Sequence, residues 1–167
     1  MLGALLDASG IAWALIGGHA VNAWLEPRAT ADIDVTIAAD VAAEWELRRL
    51  PEAEGLTATP VTGATLPSGP DFVRFVSAEG QVVLELQAAK TELRQSLLRR
   101  AVRHGAVSVA TPEDLLVLKL IAFRAKDRAD IAGLVALPAI DWDYVVAQAG
   151  AWGVTERLDR ARSAFGG

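Results

Sequence analysis

The sequence contains no cysteine in its 167 residues. Disulfides and thiolate metal sites are therefore excluded, and the composition fits a cytoplasmic protein. Only two histidines are present, so the residues for a zinc site are lacking as well. No apolar run approaches the roughly 18 residues of a membrane span, so no membrane partner is expected. The amino-terminal stretch MLGALLDASG has no basic start and carries Asp7, which does not read as a signal peptide. There is no phosphate-binding loop of the Walker type and no Ser/His/Asp order. Aromatics are sparse, and the five tryptophans (Trp13, Trp24, Trp45, Trp142, Trp152) read mostly as core rather than as base-stacking platforms.

What remains is globular. Hydrophobic residues reach 52% against 22% charged, enough to build a sizeable core in one domain. The net charge of −5 is uneven: residues 90–128 hold nine Lys/Arg against four acids, and the remainder is −10. A basic segment in an acidic chain suits a triphosphate or an RNA backbone, or is simply a solvated helix face around Arg94–Arg103.

Residues 17–34, GGHAVNAWLEPRATADID, carry most of the chemistry. The apolar run Ile11–Ile16 has strand length and ends at Gly17-Gly18; a helix over 19–25 cannot pass Pro27. Ile33, Val35 and Ile37 then alternate with Asp32, Asp34 and Thr36, a strand with one polar face. Asp32 and Asp34 lie two apart and point the same way, where a divalent cation offsets their repulsion. A glycine turn opening a helix leaves bare N–H groups for a phosphate.

Elsewhere the pattern predicts a helix over 2–9, a helix over 40–50 capped by Asp40, and short strand pieces and loop over 55–70. Asp71–Ser77 and Gln81–Gln87 form a hairpin that sets Glu85 mid-strand in an apolar setting, where a carboxylate needs a partner. A basic helix spans 91–103. Thr111-Pro112-Glu113-Asp114 starts a helix that is apolar nearly all round and contains Lys119. Helices to about residue 136, from Asp141 to Gln148 and over 154–164 complete the chain. The class is α+β: a small mixed sheet packed by helices over about 1–110, with a helical part over about 111–164.

These residues resemble the minimal nucleotidyltransferases of the DNA polymerase β superfamily, with Gly17-Gly18, Asp32-x-Asp34 and a third carboxylate, Glu85, on a later strand. More narrowly, ATPEDLLVLKLIAFRAKDRADI (110–131) resembles the AbiEii-like group, which includes toxins of toxin–antitoxin pairs. The resemblance implies a nucleotidyltransferase-like fold and transfer of a nucleoside monophosphate from an NTP to an acceptor hydroxyl. It implies two Mg²⁺ ions, with Mn²⁺ as the alternative, held by Asp32, Asp34 and Glu85 as catalytic residues. Gly17, Gly18, Arg28, Thr30, Lys119, Lys126 and Asp127 would contact the nucleotide, with Asp130 divided between site and helix capping. The implied partners are an NTP, a tRNA or other RNA acceptor and a cognate antitoxin. A nucleotide- or partner-binding module of the same fold, or an antibiotic nucleotidyltransferase, are the alternatives. Two departures stand out. Gly18 replaces a frequent serine, and Glu85 replaces the more usual aspartate, extending its reach by about 1.5 Å.

Overall fold

The alternation at Ile33–Ile37 has the expected outcome in the computed structural model, which describes residues 2–8, 10–38, 55–61 and 72–166. This stretch is strand β2 (Ile33–Ile37), at the centre of a seven-stranded mixed sheet. Before it come helix α1 (Leu2–Ala8), β1 (Trp13–Ile16) and the short helix α2 (Gly17–Val21). After it come β3 (Thr57–Val61), β4 (Phe72–Val76), β5 (Val82–Ala88), helix α3 (Glu92–Arg100), β6 (Val102–His104) and β7 (Val107–Val109). Four helices follow: α4 (Pro112–Ala122), α5 (Asp127–Val135), α6 (Trp142–Ala151) and α7 (Thr155–Phe165).

The strand order is β3-β4-β5-β2-β1-β7-β6. β2 runs antiparallel to β1 and parallel to β5, so the acid-bearing strand is flanked on both sides. One face of the sheet buries Leu6, Trp13, Val35, Phe75 and Leu86 beneath α1. The other packs Ala14 and Ile16 against the helices, through Leu97, Leu116, Leu120 and Leu134. Each fully buried leucine contributes about 2 kcal/mol of hydrophobic stabilisation. No described helix is long and apolar enough to cross a membrane.

Helix starts follow local chemistry. Thr111 accepts from the Asp114 N–H and Pro112 occupies the first turn of α4; Asp141 accepts from the Tyr144 N–H ahead of α6. α4 stops where Phe123 turns left-handed (φ 47°), and Arg157 Nη1 donates to the carbonyls of Leu120 and Ile121 at its exposed end.

Two expectations change. The basic helix ends at Arg100, and Val102–His104 instead pairs with Val107–Val109 in a hairpin turned by Gly105 (φ 60°). β7 then adds to β1 in parallel, with Leu15 opposite Val109. Three-residue strands are too short to show a period in sequence. Secondly, α2 starts on Gly17 and is only five residues long, because the chain leaves in a turn held by Asn22, whose amide bonds the Arg28 carbonyl (2.7 Å) and N–H (3.1 Å). Of the tryptophans, read mostly as core, Trp13 is buried, Trp24 and Trp142 pack against the core and Trp152 is exposed. The expected helix over 40–50, with Asp40 and Trp45, lies outside the described residues.

Candidate active site

The site is a grid set by strand register. Arg74 on β4 stands opposite Glu85 on β5, Glu85 opposite Asp34 on β2, and Asp34 opposite Ile16 on β1. All four point to the helix face. Glu85 therefore lies in a polar row and not in the apolar setting expected of it, because its neighbours come from strands distant in sequence. At the β1 end of the row Gly17 turns the chain with φ 67°. A Cβ there would stand 1.9 Å from Asp34 Oδ2, so glycine is required by both backbone and space.

Asp32, Asp34 and Glu85 converge: one carboxylate oxygen of each lies within 4.8 Å of the others. Oxygens around an octahedral Mg²⁺ stand roughly 3–4 Å apart, so small rotations would close the three onto one cation. The electrostatics fit that role. Burial, then the charges of Asp32 and Glu85, push the Asp34 carboxyl up to about 6, and Lys126 only partly offsets them. The like charges of Asp32 and Glu85 that contribute to this shift are ones a divalent ion would offset. The cleft over these acids encloses about 450 Å³, within the usual range for a small-ligand site. A larger groove of about 900 Å³ near Trp142 and Arg162 has no converging acids.

Two arginines complete the cleft. Arg74 binds Glu85 through Nε (2.8 Å) and Nη2 (2.7 Å) and lies over the Phe72 ring. Arg94, on α3, lines the cleft beside Asp34. Neither is singled out by the sequence, in which Arg94 is one of a basic cluster; Arg74 needs the β4–β5 register to be seen.

The remaining expected residues divide. Gly17, Lys119 and Lys126 line the cleft with the acids, as does Arg124. Lys119 is buried and donates to Asp127 Oδ1 (2.9 Å) and Asp130 Oδ2 (2.7 Å). Asp130 also takes a two-point contact from Arg28, and Asp127 one from the Arg124 backbone and side chain. Burial alone would raise the Asp127 carboxyl, but hydrogen bonds from Arg124 and Lys119 outweigh it and hold the group at about 2. Arg28, Asp127 and Asp130 thus form an ion network behind the cleft wall, tying the segment before Asp32 to α4 and α5.

Thr30 packs against Gly18. A Cβ on Gly18 would lie 2.5 Å from Thr30 Oγ1, so a serine hydroxyl cannot be added here without moving Thr30. Ala at position 18 would gain up to about 1 kcal/mol of helix propensity, against about 1–3 kcal/mol for the forced contact. Gly18→Ala is expected to destabilise the protein in urea unfolding, and Gly18→Ala with Thr30→Ala to recover most of the loss. An unchanged or raised stability in the single variant would contradict the contact.

No protein-family model and no curated relative matches the sequence. Solved structures do. An antigenic nucleotidyltransferase-like protein from Paracoccidioides brasiliensis aligns with a TM-score of 0.54 at 22% identity, over 98% of this chain and 87% of its own. ANT(2")-Ia, in complex with adenylyl-2"-tobramycin, aligns at 0.52 and 18% identity, over 98% and 92%. The Megavirus polyadenylate synthase aligns at 0.54 and 12% identity over 80% of this chain, but only 30% of its own length. The chain has a nucleotidyltransferase fold.

Proposed function

We propose that the protein is a divalent-metal-dependent nucleotidyltransferase. The observation that carries this reading is the convergence of Asp32, Asp34 and Glu85 beside the Gly17 turn. Asp32 and Asp34 would hold two Mg²⁺ or Mn²⁺ ions, with Glu85 on the acceptor side; the ions supply Lewis acidity to the acceptor hydroxyl and screen the triphosphate.

The residues of the chain do the rest. Gly17, free of a side chain, lets the β- and γ-phosphates approach the backbone. At five residues α2 adds little dipole, and Lys126 and Arg124 add positive charge to the cleft. The acceptor oxygen forms its bond to the α-phosphorus, the bond to pyrophosphate breaks, and the hydroxyl proton leaves toward Glu85. Arg74 holds Glu85 through Oε1 and leaves Oε2 for this.

The resemblance of residues 110–131 to AbiEii-like toxins makes a tRNA 3′ end the first acceptor to test and an antitoxin the expected partner. The likeness to ANT(2")-Ia makes an antibiotic hydroxyl the second. One observation favours a binding module without transfer: Glu85 is already engaged by Arg74.

Each α-labelled NTP should be incubated with Mg²⁺ and total tRNA or an aminoglycoside. Transfer is expected from the wild type and should fall about 10³-fold in Asp34→Ala, the equivalent of about 4 kcal/mol. Transfer that survives the substitution would sink the mechanism. Mg²⁺-dependent NTP binding without transfer to any acceptor would establish the binding module.

A further inference from the structure

Among the described residues, one buried side-chain nitrogen in the wall of the cleft meets no hydrogen-bond partner. Arg94 lies on α3, with its backbone N–H taken by the Thr91 cap. Its Nη1 is buried and meets no hydrogen-bond partner among the described residues. By contrast Lys119, Arg28 and Arg100 each meet a carboxylate. An unsatisfied buried donor is costly, more so when charged, so its persistence calls for an explanation. Burial lowers the Arg94 guanidinium to about 10, against the pull of Asp34, so it stays charged at neutral pH.

Arg94 is badly placed to be a plain counter-ion of the acid cluster. In that role Nη1 would donate to one of the carboxylates; it donates to none, and Glu85 is held by Arg74. Arg94 lines the cleft together with Gly17, Asp34 and Lys126. A ligand that suits both Arg94 and a metal on Asp34 must be an anion with several oxygens, one for each. Phosphate meets that description, and a guanidinium fork matches its geometry.

Resting on the nucleotidyltransferase reading, we propose that Arg94 is a phosphate-binding residue of the cleft, its guanidinium donating to a phosphate oxygen of the metal-bound ligand. Two ligands carry such a group: the triphosphate of the nucleotide and a phosphodiester of a nucleic-acid acceptor.

Calorimetric titration separates the cases. Wild type, Arg94→Met and Arg94→Lys are titrated with Mn²⁺ alone, with inorganic tripolyphosphate in Mn²⁺, and with a dinucleotide in Mn²⁺; circular dichroism confirms folding. Arg94→Met is expected to bind Mn²⁺ as well as or better than wild type, because a neighbouring positive charge is gone. It should bind phosphate about 10- to 100-fold more weakly, with Arg94→Lys between. Weakening confined to tripolyphosphate assigns Arg94 to the nucleotide, and weakening confined to the dinucleotide assigns it to the acceptor. Unchanged binding of both, or equal losses for metal and phosphate, overturns the proposal. If Arg94→Met does not fold, Arg94→Lys decides: wild-type affinity for both phosphates overturns the proposal, and a selective loss supports it. A wild type that binds neither Mn²⁺ nor phosphate overturns the nucleotidyltransferase reading itself, and this one with it.

Discussion

Asp34→Asn is expected to make the metal-free protein more stable at pH 7.5 and, in the same variant, to abolish metal binding and transfer. Asp34 is pushed up to about 6 by its burial and by the charges of Asp32 and Glu85. The folded state therefore binds this proton more tightly than the unfolded chain, where the group titrates near 3.8. The sign follows: the stability of the metal-free protein falls as pH rises from about 4 to about 6, then stays at the lower level. Two units correspond to roughly 2–3 kcal/mol, and removing the charge should recover about 2 kcal/mol, or about 4–8 °C in melting temperature. Mg²⁺ held as proposed is expected to reverse the wild-type trend, because a metal would bind the ionised carboxylates and not the protonated ones. Melting curves at pH 5, 6 and 7.5, in EDTA and in 10 mM Mg²⁺, check both halves. An Asn variant that melts below wild type at pH 7.5 in EDTA would show that the cluster carries no such strain.

This arrangement explains which parts of the site the sequence discloses. Asp32 and Asp34 are visible because a period-two strand needs only five consecutive residues, and the Gly17 turn adjoins the preceding apolar run. The hairpin that bears Glu85 is visible for the same local reason, as are the caps at Thr111 and Asp141. What is hidden depends on register between distant strands. Arg74 becomes part of the site only because β4 and β5 place it opposite Glu85. The polar row Arg74–Glu85–Asp34 spans three strands, so Glu85 read alone has only apolar neighbours in view. The hairpin of β6 and β7 is hidden because its strands are three residues long and its Val102 and Val107 are exposed. The frequent serine of the turn is absent for a reason that no motif records: Thr30 fills the space.

The second large effect concerns Lys119. In sequence it reads as a triphosphate ligand in an apolar helix. In the fold it lines the cleft but is only 5% exposed and is committed to Asp127 and Asp130. Lys119→Met would leave two buried carboxylates short of a cation, with Arg124 and Arg28 as their remaining partners. Breaking one member of a buried ion network typically costs about 3–5 kcal/mol, and a loss of that size is expected in urea unfolding at pH 7. The pH profile adds a second signature. Asp127, held at about 2, contributes stability that is present above about pH 4 and lost as pH falls toward 2. Without Lys119 that contribution should shrink, so the gap between variant and wild type should narrow at low pH. Adding Asp127→Asn to Lys119→Met removes one stranded charge and should recover part of the loss. Because Arg28 joins the network four residues before Asp32, loosening it should also disturb the proposed metal ligands, lowering affinity for Mn²⁺ as well as for the nucleotide. A variant that melts with wild type, binds Mn²⁺ normally and loses only tripolyphosphate would assign Lys119 to the ligand instead of the wall.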